Sequence, residues 1–411
     1  MLKNYFKIAI AVLRRRKFFT FISLFGISFT LTILMVATAF INNLVSPGYP
    51  DTKRDRSLYI TLIEFTSNKG WLNRSGSSYY FLTHYAGTLK TAEKIGIASR
   101  AHSSNAYVNN KKLVIDIKYT NQAYWDIAEF QFTEGKPYNQ AQINQAQRVA
   151  VISERTKLDY FGDVPTVVGK YIEADNIQYR VIGVVKSVPV SSEVFYGNMY
   201  LPYTVSKSDY RDHGYQGPYS AILLAPTVAD VPKMRNEYQQ MVPKIPIPDK
   251  DFDHIYSNAD TYFGGQVRQL AGSGSKSGMG VFIAGAGLLT LLFLLLPTIN
   301  LVNINITRIM ERSSEIGVRK AFGASSKTLV YQFIVENIIL TAIGGLIGVI
   351  LSILVLHFIN SLALIKDLTL SLNLTVLFYS LLACLFFGLL SGVYPAWRMS
   401  RLNVVTALKA Q

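Results

Sequence analysis

Cysteine is nearly missing from this 411-residue chain: the one residue, Cys384, stands inside an apolar run, so no intramolecular disulfide can form. Any domain outside the membrane must be held by its own core. Charge is scarce too, at 16% of residues, which is little for a soluble enzyme of this length. The spacings of common catalytic and metal sites are also missing. His84, His102, His213, His254 and His357 are scattered, and neither H-E-x-x-H nor C-x-x-C occurs, so no metal site is expected. No phosphate loop is present: in the glycine–serine run from Ala271 to Gly280, Lys276 follows Ser275 and not a glycine. The chain is therefore expected to be no enzyme and to hold no cofactor, and this run is read as a flexible juxtamembrane linker.

Apolar residues are abundant, at 50% of the chain. Four windows, Phe18 to Ile41, Met279 to Ile304, Leu329 to Phe358 and Leu374 to Tyr394, reach the roughly 20 residues that cross a ~30 Å hydrocarbon core. They contain no Lys or Arg and one acid, Glu336. The run Arg15, Arg16, Lys17, Phe18, Phe19 resembles a twin-arginine signal, with Ala37, Thr38 and Ala39 as a cleavage site. The apolar stretch is longer than the roughly 7 to 15 residues of a signal core, which favours an uncleaved anchor.

Basic residues mark the cytoplasmic side. Residues 1–17, the segment between the second and third windows and the C-terminal tail together hold 14 basic and 2 acidic residues. The long stretch from Asn42 to Gly278 is nearly balanced, with 26 basic and 22 acidic residues. Both termini are expected in the cytoplasm of an inner-membrane protein, with the long stretch in the periplasm. The expected division is a cytoplasmic amphipathic N-terminus at 1–17, a first span at 18–41, an extracytoplasmic domain at 42–278 and a second span at 279–304. A cytoplasmic loop at 305–328, a third span at 329–358, a short external loop at 359–373, a fourth span at 374–394 and a cytoplasmic tail at 395–411 follow. Positive charge gathered at span ends, not in a stripe on a folded domain, argues against nucleic acid as a partner.

Between Asp51 and Thr204 short strands are expected at Leu58 to Glu64, Lys112 to Tyr119, Val149 to Ile152, Gln178 to Val185 and Asn198 to Leu201, with a helix at Glu154 to Phe161. A second part, Lys207 to Arg268, carries an amphipathic helix from Val228 to Met241, and Pro243, Pro246, Pro248 and Asp249 read as loop. The fold class is an α-helical membrane protein with four transmembrane helices and a large α+β domain inserted between the first and second. Gly344 with Gly348, and Gly388 with Gly392, have the G-x-x-x-G spacing that lets helices approach, within the chain or across a dimer. Glu336 is expected to bind a neighbouring helix or a basic end.

The most specific stretch is ITRIMERSSEIGVRKAFGAS, Ile306 to Ser325. Glu315, Ile316, Gly317, Val318, Arg319, Lys320, Gly323 and Ala324 fill the pattern E-[IV]-G-[IV]-R-K-x-x-G-A, and the loop resembles the cytoplasmic loop of MacB/FtsX-type ABC transporter permeases. Glu311, Glu315 and Arg319 share one helical face, while Ile309, Ile316 and Phe322 offer apolar anchors, so the loop suits a partner's groove. The same family is resembled at 121–137, 149–162, 168–189, 333–348 and 392–409, in the same order. The resemblance implies a MacB-like periplasmic core and mechanotransmission: a cytoplasmic ABC ATPase binds ATP and Mg and moves the permease, usually a dimer of this chain or of two homologous permeases. With no nucleotide-binding domain before Met1, the ATPase is expected on a separate polypeptide. Three roles stay open for the external domain: efflux or export with a periplasmic adaptor and outer-membrane channel, LolC/LolE-like lipoprotein extraction, or FtsX-like signalling to envelope enzymes. An unrelated membrane-anchored enzyme would require a catalytic cluster that the sequence does not display.

Overall fold

Strands that read as unbroken apolar runs should lie between two covered faces, and the centre of the extracytoplasmic unit is built this way. The computed structural model describes residues 10–11, 14–15, 17–108, 111–310, 318, 322, 325–362, 370–383, 385–386 and 389. The chain forms two units, one of residues 1–42, 283–362 and 370–411 and the other of residues 43–282 and 363–369.

In the second unit, a ten-stranded sheet runs in the order β1 (Ser57–Ile60), β12 (Tyr219–Leu224), β4 (Lys94–Ser99), β6 (Lys111–Thr120), β11 (Met199–Pro202), β8 (Val149–Ser153), β10 (Ile177–Val185) and β7 (Phe132–Gly135). Strand β5 (His102–Val108) pairs with β6 and β9 (Tyr171–Ala174) with β10. The β6–β11 and β8–β10 pairs are parallel, the rest antiparallel. Alternation divides the core: Leu58, Ile60, Ala150, Ile152, Met199 and Leu201 fill one face, and Tyr59, Val149, Val151 and Tyr200 the other, with Tyr124 and Trp125 of the short helix Gln122–Ile127. Asn121 caps that helix, accepting from Tyr124 N at 3.0 Å, and ties it to β4 by accepting from Ile97 N at 3.0 Å and donating to Ile95 O at 3.1 Å.

The helix at Glu154–Phe161 and the strands at 111–120, 149–153, 177–185 and 199–202 lie where the sequence places them, within two residues. Two expectations fail. The expected strand Leu58 to Glu64 is two strands, because β2 (Ile63–Thr66) leaves the large sheet for a three-stranded one with β3 (Leu72–Ser75) and β13 (His254–Ser257). The expected second part is interleaved with the first, since its β12 lies between β1 and β4. The amphipathic helix is Val231–Met241, preceded by a 3-10 turn at Val228–Asp230.

The glycine–serine run is a tied turn, not a flexible linker. Glu64 Oε1 accepts from Gly274 N at 2.7 Å, Arg74 Nη2 donates to Gly272 O at 2.8 Å, and Arg268 Nη1 donates to Lys276 O at 3.0 Å. The Glu-Gly-Lys element at 134–136 has a steric cause. Gly135 has φ +63°, and a Cβ there would lie 2.0 Å from Ile182 O, so only glycine fits beside β10.

Lys118 is fully buried on β6, and its ammonium donates to Ser99 O at 2.8 Å and Glu193 O at 3.1 Å. Burial lowers its pKa from 10.5 to about 7, against the pull of Glu193 and with the repulsion of Arg100. Between those values the unfolded chain holds a proton that the folded chain lacks. Stability therefore rises from about pH 7 to about pH 10.5, and the contribution is lost as pH falls through the folded value. Lys118→Met removes this term, leaving only a pH-independent cost at the two orphaned carbonyls. Relative to wild type, the variant's urea midpoint should fall as the pH is raised from about 7 to about 10. A difference constant over this range refutes a buried, titrating Lys118.

Candidate functional site

In the first unit, polarity is arranged as a bilayer requires. Helix α1 (Lys17–Val45) buries Ser23, Ser28, Thr30 and Thr32, while Phe21, Phe25 and Phe29 stand exposed in a stacked ladder with ring centroids 6.2 and 5.5 Å apart. The helix at Ser326–Ser361, αC below, buries Gln332, Glu336, Asn337, Thr341 and Ser352 and exposes Leu346, Ile350, Ile353, Leu354 and Phe358. Inward polar and outward apolar residues are what lipid selects and water opposes. Gln332 Nε2 donates to Glu336 Oε1 at 3.0 Å, so Glu336 is a hydrogen-bonded buried acid.

Gly344 and Gly348 of αC lie against α1. A Cβ at 344 would stand 2.9 Å from Ile27 Cβ and Cγ2, and one at 348 would stand 2.9 Å from Leu31 Cδ2 and 3.1 Å from Ser28 O. Thr32 Oγ1 crosses to Gly348 O at 3.3 Å and also donates to Ser28 O at 2.8 Å. These glycines thus serve a contact within the chain. Gly388 and Gly392 lie outside the described residues.

Glu315, Ile316, Gly317, Arg319, Lys320, Gly323 and Ala324 of the loop also lie outside the described residues. Val318 and Phe322 are described: Phe322 N donates to Val318 O at 3.0 Å, and Phe322 is 89% exposed.

A second constellation, not singled out by sequence, lies where α1 ends. Arg54 Nη1 donates to the carbonyls of Asn43 (3.1 Å), Leu44 (3.2 Å) and Ser46 (2.7 Å), closing the last turn of the helix. Its Nε donates to Asp51 Oδ2 at 2.7 Å, and its guanidinium carbon stands 4.3 Å from the Tyr262 ring centroid. Tyr59 of β1 donates its hydroxyl to Asp51, 2.8 and 2.7 Å from the two oxygens, and packs edge-on to Tyr262 at 5.3 Å. Asp51, Arg54, Tyr59 and Tyr262 are all buried. Burial pushes the Asp51 carboxyl above its usual range, with Arg54 opposing the shift, and burial beside Asp51 pushes Tyr59 well up.

Tyr262 opens the helix Tyr262–Ala271, which precedes the long helix Met279–Met310. Asp260, just before it, exchanges backbone hydrogen bonds with Tyr59 at 2.7 and 3.0 Å and receives Arg268 Nε at 2.5 Å. Within the second unit, Arg54 therefore ties residues 43–46 to Asp51, the edge strand β1 and the start of the helix Tyr262–Ala271. The sequence signal was Asp51 and Arg54 three residues apart just beyond a span, the i,i+3 spacing of an ion pair.

Residues 20–241 match the MacB-like periplasmic core domain and residues 287–404 the FtsX-like permease C-terminal family. Among curated relatives, the pyoverdine export ATP-binding/permease protein PvdT of Pseudomonas fluorescens is 23% identical over 70% of this chain and 41% of its own length. The macrolide export ATP-binding/permease protein MacB of Campylobacter jejuni is 25% identical over 67% of this chain and 41% of its own. The ABC transporter permease YknZ of Bacillus subtilis is 23% identical over 76% and 74%. The chain thus spans about two fifths of the length of PvdT and MacB. Among solved structures, the extracellular domain of YknZ matches at 17% identity over 45% of this chain and 94% of its own, TM-score 0.34. The periplasmic region of MacB from Actinobacillus actinomycetemcomitans matches at 15% identity over 53% and 94%, TM-score 0.35. With its periplasmic core matched over more than half of its length and its C-terminal region matched as well, the chain belongs to the MacB/FtsX-type ABC transporter permeases.

Proposed function

We propose that this chain is a permease subunit that relays movement from a separate cytoplasmic ATPase to its periplasmic domain, for efflux or export. In this reading four helices span the inner membrane with both termini in the cytoplasm. ATP and Mg are held by the partner, and two copies, or this chain and a homologous permease, form the working unit. A periplasmic adaptor and an outer-membrane channel complete the path. Export in the names of PvdT and MacB supports that direction. The observation that supports relay is the Arg54 cluster: within the periplasmic unit, buried, charge-assisted bonds tie residues 43–46, where the chain enters that unit, to Asp51 and Tyr262.

The input would be the loop at 315–324, with Ile316 and Phe322 as its anchors. Burying such a side chain in a partner groove contributes about 1.5–3 kcal/mol. Ile316→Asp or Phe322→Asp adds the desolvation of a charge. Either variant should insert and fold yet copurify with the ATPase at least about tenfold less, one decade being about 1.4 kcal/mol. Lys327→Ala, beyond the motif, should change association little. If both Asp variants keep full association and full ATPase-driven activity in membranes, the loop is only a topological determinant.

A further inference from the structure

We infer that the C-terminal end of the helix Tyr262–Ala271 is a membrane-interface anchor, with Leu270 entering the bilayer beside the point where the chain begins its next crossing at Met279. The partner is the lipid surface, at the boundary between headgroups and acyl chains, where interfacial helices bury their apolar side about 5–10 Å deep. The inference rests on reading α1 and the helix Met279–Met310 as membrane spans, and not on the relay.

Chain continuity sets the level of this end. The apolar run of the span begins at Met279, and the residue before it is pressed against the preceding helix. A Cβ at Gly278 would stand 2.5 Å from Ala271 C and 2.7 Å from Ala271 O. Ser273 and Lys276 close the turn between them by exchanging backbone hydrogen bonds at 3.1 and 3.0 Å. Leu270 therefore stands next to the place where the chain enters the bilayer.

The other end of the helix is fixed near the first crossing. Tyr262 lies under the Arg54 guanidinium, and Arg54 holds the carbonyls of Asn43, Leu44 and Ser46, where the chain emerges from the first apolar run. A helix of 10 residues, about 15 Å long, is thus tied at both ends close to points where the chain meets the membrane. Its axis runs along the bilayer surface and not away from it.

Exposure shows which part meets lipid. Tyr262, Gly265 and Val267 are buried, whereas Leu270, at 81%, is the most exposed large apolar residue of the periplasmic unit among the described residues. Val281, in the first turn of the span, is exposed too, and Phe263 packs edge-on to Phe282, ring centroids 5.3 Å apart, so the helix and the span meet through apolar side chains. A single exposed leucine is ordinary on a protein in water. Here a neighbouring lipid-facing helix supplies its cover. From Tyr262 to Gly278 the charged side chains are Arg268, bound to Asp260 at 2.5 Å, and Lys276. The contact is therefore apolar and needs no anionic headgroup.

The test places a nitroxide on a single cysteine of the full-length chain, carrying Cys384→Ala, in phosphatidylcholine nanodiscs. It reads the ratio of collisions with oxygen, which concentrates in hydrocarbon, to collisions with a nickel chelate, which stays in water. Lys112→Cys, exposed on β6, gives the water reference, and Leu292→Cys, about 20 Å along the helix from Met279, the hydrocarbon reference. The label at Leu270→Cys should fall between them, at a depth of about 5–10 Å below the membrane surface. A label at the exposed neighbour Ala271 should read the same zone. Adding Leu270→Asp should move the Ala271 label to the water value, because lipid expels a carboxylate, whereas Leu270→Phe should leave it in place. Both changes lie outside the core and keep the fold. Phosphatidylglycerol should alter nothing, and a contact that appears only with that lipid would belong to Lys276 and overturn the apolar anchor. Water values at 270 and 271 with a hydrocarbon value at 292, or an Ala271 label indifferent to Leu270→Asp, overturn the inference and leave the spans standing. A water value at 292 as well overturns the span reading, and this inference with it.

Discussion

Arg54→Ala should lower the unfolding free energy of the periplasmic unit by about 3–5 kcal/mol, the usual cost of removing one member of a buried ion pair. The estimate follows from what the side chain leaves behind. Asp51 would stay buried with only the Tyr59 hydroxyl as a side-chain hydrogen-bond donor, and the carbonyls of Asn43, Leu44 and Ser46 would lose a common cation. Loss of the guanidinium over Tyr262 adds about 0.5–2 kcal/mol of cation–π attraction. Urea unfolding of the full chain, followed at a probe within residues 43–282, measures the loss. A difference under about 1 kcal/mol would mean that water or rearranged backbone satisfies these groups, and the Arg54 cluster would not hold residues 43–46 in place.

A cycle with Asp51→Asn tells the ion pair from mere packing. Asp51→Asn keeps the shape and leaves Arg54 able to close the helix, so the double variant should cost less than the two single changes added together, with coupling of about 1.5–3 kcal/mol. The relay makes a further demand. Arg54→Lys keeps a charge but not the planar fork that reaches Asp51 and three carbonyls at once. It should therefore fold, yet transmit ATP-driven movement to the periplasmic unit less well than wild type.

The sequence was most legible where one physical cause dominates. Apolar length placed the long helices, and β-branched runs such as Val149 to Ile152 placed the central strands, because burial on both faces leaves nothing polar to interrupt them. It was least legible where partners are remote in the chain. Glu64 reads as the last residue of a strand, but its carboxylate holds Gly274, 210 residues later, and so turns an apparent linker into a fixed turn. Thr61 and Leu62 break an apparently continuous strand because β2 finds β3 and β13. Strand β12 looks like part of a later subdomain until its register with β1 and β4 is known. At the site the same division holds. The spacing of Gly344 and Gly348 is local and could be read, but their contact with α1 could not, and Arg54 gains its role only when Tyr262 arrives from the far end of the domain.

Glycines that look alike in sequence should respond with opposite signs. A methyl at Gly348 would meet Leu31 Cδ2 at 2.9 Å, Leu31 Cβ at 3.0 Å and the backbone oxygen of Ser28 at 3.1 Å, so α1 and αC must separate to admit it. Overpacking of this kind costs about 1–3 kcal/mol for Gly348→Ala and more for Gly348→Leu, which also endangers the Thr32 to Gly348 hydrogen bond. Among the described residues, Gly287, inside the helix Met279–Met310, has no atom beyond its own helix backbone within 4 Å of its would-be Cβ. There Gly287→Ala meets open space and gains helix propensity of up to about 1 kcal/mol. Thermal stability of the full chain in one detergent should therefore fall for Gly348→Ala and hold or rise for Gly287→Ala. The position 348 penalty should shrink when Leu31→Ala is added, because that removes the Cδ2 contact but not the Ser28 carbonyl. If Gly348→Ala and Gly287→Ala behave alike, close approach of α1 and αC is not what position 348 requires glycine for, and the interface between the two helices must lie elsewhere on their surfaces.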